Sequence, residues 1–126
     1  MNLLDDRYLN INKVAREAHQ NAAAHGFYED QDRLEDYLTA NDQPHLCEIA
    51  RRNFILAQLA KICSEVGESV AVVQKSRDYQ ALGEELADIA IRTMDLASYL
   101  GYQHGTDIMM KMAKNSARPY KHGKIC

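Results

Sequence analysis

The chain is 126 residues long with a mass of 14.3 kDa, enough for one domain that buries a core without disulfides or a structural metal. A net charge of −3 and a pI of about 5.9 argue against general binding of a nucleic-acid polymer. With 46% hydrophobic and 26% charged residues, the composition excludes a disordered chain.

In chain order, the first residues, Met1-Asn-Leu-Leu-Asp-Asp-Arg, carry acids where a signal peptide needs bases, and no apolar core follows. A first helix is predicted over 10–25, with Asn10 as its cap and Gly26 as its stop. Residues 27–43 are mixed, with a short helix predicted over 31–39. Asn41-Asp42-Gln43-Pro44 is turn chemistry, and Pro44 suits the first turn of a following helix. That helix is predicted over 44–74. Leu56, Leu59, Cys63, Val66, Val70 and Val73 recur at alternating steps of three and four, a single apolar stripe expected to face the core. Residues 75–79 form a break. A helix over 80–100 carries the matching stripe Leu82, Leu86, Ile89, Thr93, Leu96 and Leu100, and Gly101 ends it. A last helix over 106–116 presents Ile108, Met109, Met112 and Ala113, and residues 117–126 form a polar, basic tail. No segment alternates with a strand's period of two or reaches the apolar length of a membrane span. Trp is absent and Pro occurs only at positions 44 and 119. The fold class expected is all-α, a four-helix-bundle-like single domain over 1–126. Cys47, Cys63 and Cys126 form no C-x-x-C pair and leave an odd count, which suits a reducing cytoplasmic setting.

A second row runs beside each apolar stripe. On the longest helix it is Lys61, Glu65, Glu68 and Val72; on the next it is Glu85, Asp88, Arg92 and Asp95. Residues three apart share a helix face. A short connector makes the two helices antiparallel neighbours, so Glu65, Glu68, Glu85 and Asp88 can converge. Converging carboxylates repel, and a hard divalent cation with all-oxygen ligation, Mg²⁺ first and Mn²⁺ or Ca²⁺ next, resolves the conflict. The plainer account is a solvated face with Lys61–Glu65 and Asp88–Arg92 as i,i+4 pairs. Asp95 either reaches a second metal or pairs with Arg92.

Near the end, Lys111, Asn115 and Arg118 fall on one face, followed by Tyr120, Lys121, His122 and Lys124. Such a basic, amide-bearing strip can hold phosphate oxygens; alternatively it is a basic helix end favoured by the macrodipole. Phe27 and Tyr28 are candidates to stack on a base and His19, Asn21 and His25 to bond to one, although an aromatic after a helix-stopping glycine commonly belongs to the core.

Cys63-Ser-Glu-Val-Gly-Glu-Ser-Val and Gly83-Glu-Glu-Leu-Ala-Asp-Ile-Ala together resemble the E-x-x-E…E-x-x-D signature of the MazG-like all-α nucleoside triphosphate pyrophosphohydrolases. The ending Lys111-Met-Ala-Lys-Asn-Ser-Ala-Arg-Pro-Tyr-Lys-His-Gly-Lys is similar to the tail of small bacterial and phage members, and Asn21-Ala-Ala-Ala-His-Gly-Phe-Tyr to the stretch before their second helix. The likeness covers about residues 11–124 and is weakest over 29–49. It implies a helical bundle, dimeric or tetrameric. It also implies Mg²⁺-dependent cleavage of a triphosphate to monophosphate and pyrophosphate, in nucleotide-pool housecleaning or phage nucleotide metabolism. The residues matching its signature are Glu65, Glu68, Glu85 and Asp88, expected here as metal ligands; Glu65 or Glu68 is expected as general base, and Lys111, Asn115, Arg118, Tyr120, Lys121 and His122 are expected to bind substrate.

Two other metal classes find no support in the sequence: no Glu has the His three residues on that di-iron bundles need, and there is no D-x-[DN]-x-[DN]-G loop of an EF-hand. The remaining rival is a non-catalytic helical interaction module whose acidic rows are simply solvated. Ile55, Ile62 and Val66 widen the apolar stripe of the longest helix beyond what one chain covers, so a homodimer is expected, with a tetramer as the alternative.

Overall fold

The structure, a computed structural model, describes residues 6–77 and 79–120 and is all-helical among them. Five helices follow in order: α1 Arg7–Ala24, α2 Glu29–Ala40, α3 Pro44–Lys75, α4 Tyr79–Tyr99 and α5 His104–Ser116. The expected short helix is therefore complete as α2. Helix α1 begins before Asn10, which lies inside it, so Asn10 is not its cap.

Pro44 stands in the first turn of α3, where its missing N–H leaves no bond unmade. Helices α1 and α4 end in the same turn. Gly26 and Gly101 take left-handed φ of 83° and 80°. The amides of Phe27 and Tyr102 then reach back to the carbonyls of Ala22 and Ala97 at 3.2 and 3.0 Å.

Helix α4 is central, packed by α1 on one side and α3 on the other; α2 lies on α3 and α5 on α1. Partners that cross between them show that α3 and α4 are antiparallel, since Phe54 meets Tyr99 while Glu65 meets Arg92. The α1–α5 contact is close. The Gly105 amide donates to the buried Asn12 Oδ1 at 2.6 Å, and a Cβ at Gly105 would overlap the Tyr8 carbonyl oxygen. Gly105→Ala is therefore expected to cost about 1–3 kcal/mol through forced separation of these helices, measurable as a lowered midpoint in urea.

The core is thin. Ala15, Tyr28, Leu96, Ala97 and Met109 are its buried apolar members, and among the described residues no large side chain is wholly enclosed. The largest correction concerns α3. Its packed face is Phe54, Gln58, Ile62, Glu65, Ser69 and Val72, all buried or half-buried. The apolar stripe expected to form the core lies one position on, about 100° round the helix. Leu56, Leu59, Val66, Val70 and Val73 are 40–57% exposed, and Cys63 is exposed with them. On α4 the expectation holds better, since of its stripe only Leu86 is exposed. No helix among the described residues is long and apolar enough to cross a membrane.

Candidate metal centre and adjoining cavity

Three of the four carboxylates converge. Glu65 and Glu68 sit one turn apart on α3, and Glu85 faces them from α4. One oxygen from each lies within 4.8 Å of the other two. Glu65 is buried, Glu85 half-buried and Glu68 exposed. Arg92 Nε donates to Glu65 Oε1 at 2.7 Å, an ion pair between helices that replaces both expected i,i+4 pairings as the one formed here. The negative charge of Glu65 and its hydrogen bond, with a smaller contribution from Glu85, hold the Glu68 carboxyl above the usual carboxylate range. Glu85 Oε2 is buried and has no hydrogen-bond partner. Such an orphan is costly unless something supplies positive charge or a proton. An all-oxygen donor set of this kind fits a hard divalent cation.

Asp88, the fourth expected ligand, stands one turn beyond Glu85, is exposed, and lies outside the converging group. It lines a half-open cavity of about 400 Å³ between α1, the α1–α2 turn, α3 and α4. Lys61 and Arg92 line the same cavity and bring two cationic side chains beside the carboxylates. Sequence reasoning noticed both only as partners in i,i+4 pairs. The available signal was their position in the same helical rows as the acids.

The far end of the cavity is aromatic and polar. Tyr28 OH donates to Asp95 Oδ1 at 2.6 Å, and His19 Nδ1 lies 2.9 Å from the same oxygen. A carboxylate only accepts, so this nitrogen carries the proton. Asp95 thus pairs with α1 and the α1–α2 turn rather than with Arg92. Tyr28 stacks on Tyr99 with centroids 4.6 Å apart, and Phe54 leans on both rings. Tyr99 donates to Glu35, which also pairs with Arg51, so the cluster ties α2 to the rest. Of the two aromatics expected as candidates to stack on a base, only Phe27 keeps that opportunity. Tyr28 belongs to the core, whereas Phe27 is 70% exposed and its ring stands at the cavity. Asn21 lines the cavity as well, while His25 turns back onto the Asn21 carbonyl.

Burial and the Asp95 bond push the Tyr28 hydroxyl far up, and burial with the Glu35 bond raises Tyr99 to about 12. Both shifts are upward, so the stability these groups contribute is whole below about pH 10, the ordinary tyrosine value, and is lost as pH rises toward 12. Thermal melts across that window should show a shallower decline for Tyr99→Phe than for the parent chain.

The basic strip is elsewhere. Helix α5 packs on α1 and only lightly on α4. It starts beyond the α4 C-terminus, while Glu85 lies about 20 Å back along α4 from Ser98. Lys111, Asn115, Arg118 and Tyr120 are all exposed. None of these four lines the cavity beside the carboxylates. Lys121 and His122 lie outside the described residues. Neither a family model, a curated protein nor a solved structure matches this chain.

Proposed function

We propose that this chain is a Mg²⁺-dependent nucleoside triphosphate pyrophosphohydrolase of the MazG-like type, with Mn²⁺ as an alternative ion, cleaving a triphosphate to monophosphate and pyrophosphate. The observation that carries the proposal is Glu85 Oε2, a buried carboxylate oxygen without a partner. Glu85 converges with Glu65 and Glu68, and Asp88, one turn on, lines the cavity together with Lys61 and Arg92. The resemblance of the E-x-x-E…E-x-x-D segments and of the tail supports the same reading.

Glu65, Glu68 and Glu85 would hold the cation, with Asp88 one turn away available to the substrate-bound state. Bound there, Mg²⁺ supplies charge neutralisation along the phosphate chain and lowers the pKa of a ligated water. Lys61 and Arg92 bind phosphate oxygens at the cavity mouth and counter the charge that develops on the departing pyrophosphate. Arg92 holds one oxygen of Glu65, which leaves Glu68, the exposed member, to take the proton of the attacking water. The water oxygen bonds to the α-phosphorus, the α–β bridging bond breaks, and its electron pair leaves with pyrophosphate. Lys111, Asn115, Arg118 and Tyr120, which do not line the cavity, would join such a site from a second chain. The exposed stripe on α3 favours that assembly as a homodimer, or a tetramer.

The same exposed stripe also suits a non-catalytic module that docks a partner helix. Incubation with a panel of nucleoside triphosphates separates the two. Turnover with Mg²⁺ that stops on adding EDTA supports the hydrolase. Lack of turnover, with no Mg²⁺ binding in a calorimeter, supports the interaction module.

A further inference from the structure

We infer that Asp95 reads the base of the substrate and selects nucleotides whose base carries an exocyclic amino group; this rests on the hydrolase proposed above. Asp95 lines the same cavity as Asp88 and Arg92 but stands two turns further along α4, about 10 Å from Asp88. That separation leaves room for a sugar between phosphates at one end and a base at the other. Phe27, exposed at the cavity, offers the ring on which a base can stack, because the face of Tyr28 is already taken by Tyr99.

The bonds to Asp95 fix its chemistry. The Tyr28 hydroxyl and the His19 ring N–H both donate to Oδ1. Two donors from the protein side lock the carboxylate in orientation through Oδ1, and Oδ2 is left as the acceptor for a ligand. The Asp95 side chain is only 17% exposed, so a ligand atom placed against it is removed from water. An ionised carboxylate accepts and never donates. It therefore favours the amino group of cytosine, adenine or guanine. It repels the O4 carbonyl that uracil and thymine present where cytosine has its amino group. Sites built on buried hydrogen-bonding groups discriminate strongly against a mismatched ligand, because the protein group is left unpaired.

Cytidine and uridine triphosphates differ in this edge of the base, and their kcat/KM values provide the test. The parent chain should favour cytidine over uridine triphosphate by at least about tenfold. Asp95→Asn should collapse or invert that ratio, because its amide can donate to O4. A merely structural role for Asp95 predicts an equal fall for both substrates, which overturns the inference. A parent ratio near one overturns it as well, even if Asp95→Asn does not fold, and leaves the hydrolase standing. Hydrolysis of neither nucleotide overturns this inference, and absence of turnover across the whole triphosphate panel overturns the hydrolase with it.

Discussion

Glu85→Gln is expected to remove Mg²⁺-dependent turnover by at least about a hundredfold while raising the melting temperature of the metal-free protein by a few degrees. The two effects have one cause. Glu85 belongs to a group of three converging carboxylates and carries a buried, unpartnered oxygen. Gln is nearly isosteric and uncharged, and its amide can donate to Glu68. It relieves a repulsion that the folded chain otherwise carries, a gain of about 0.5–2 kcal/mol for improved charge placement. It also removes a ligand and the charge that attracts a divalent ion. Differential scanning calorimetry in EDTA, with turnover measured on the same preparation, checks both. A lowered melting temperature with unchanged turnover would show that Glu85 is an ordinary packing residue. Asp88→Asn offers the contrast: exposed and outside the group, it should leave the stability within about 0.5 kcal/mol of the parent.

The second large effect concerns assembly. Leu56, Leu59, Cys63, Val66, Val70 and Val73 recur every three and four residues, a seven-residue repeat of the kind that pairs helices along a seam. In the single chain this seam faces away from α4. Val66→Glu combined with Val70→Glu places two charges on it, at positions 45% and 49% exposed. Exposed substitutions of this kind cost a lone chain little, but they are expected to break a subunit interface. Light scattering coupled to size-exclusion chromatography should then fall from a dimer or tetramer mass to 14.3 kDa. Loss of turnover in the same variant would indicate that α5 of one chain serves the carboxylates of another. A parent chain that already runs at 14.3 kDa contradicts the oligomer.

The two rows on α3 also explain what was legible in the sequence. Helix positions were readable because the breakers are few and well placed: Gly26, Pro44 and Gly101 each stand where a helix stops or starts. Convergence of Glu65, Glu68 and Glu85 followed from i,i+3 spacing and a short connector. The phase of α3 was not readable. Two rows of helical periodicity lie one residue apart, and the more apolar one looks like the core. The chain instead turns Glu65 and Ser69 inward, with Ser69 Oγ bonded to the Glu65 carbonyl. Local pattern cannot show that a polar row is buried, because its partners, Arg92 and Glu85, arrive from α4. The pairing of Asp95 with His19 and Tyr28 spans 76 and 67 residues and is invisible to any local pattern for the same reason. Phe27 rather than Tyr28 remains the stacking candidate because the turn after Gly26, not hydrophobicity, decides which ring points inward.

The site of bond cleavage, read in ¹⁸O-labelled water, tests the central claim most directly. A triphosphate is incubated with the protein and Mg²⁺, and the products are resolved by mass spectrometry. Labelled monophosphate with unlabelled pyrophosphate, lost in EDTA and in Glu85→Gln, is the predicted result. Diphosphate with orthophosphate, or cleavage that persists undiminished in Glu85→Gln, would contradict it.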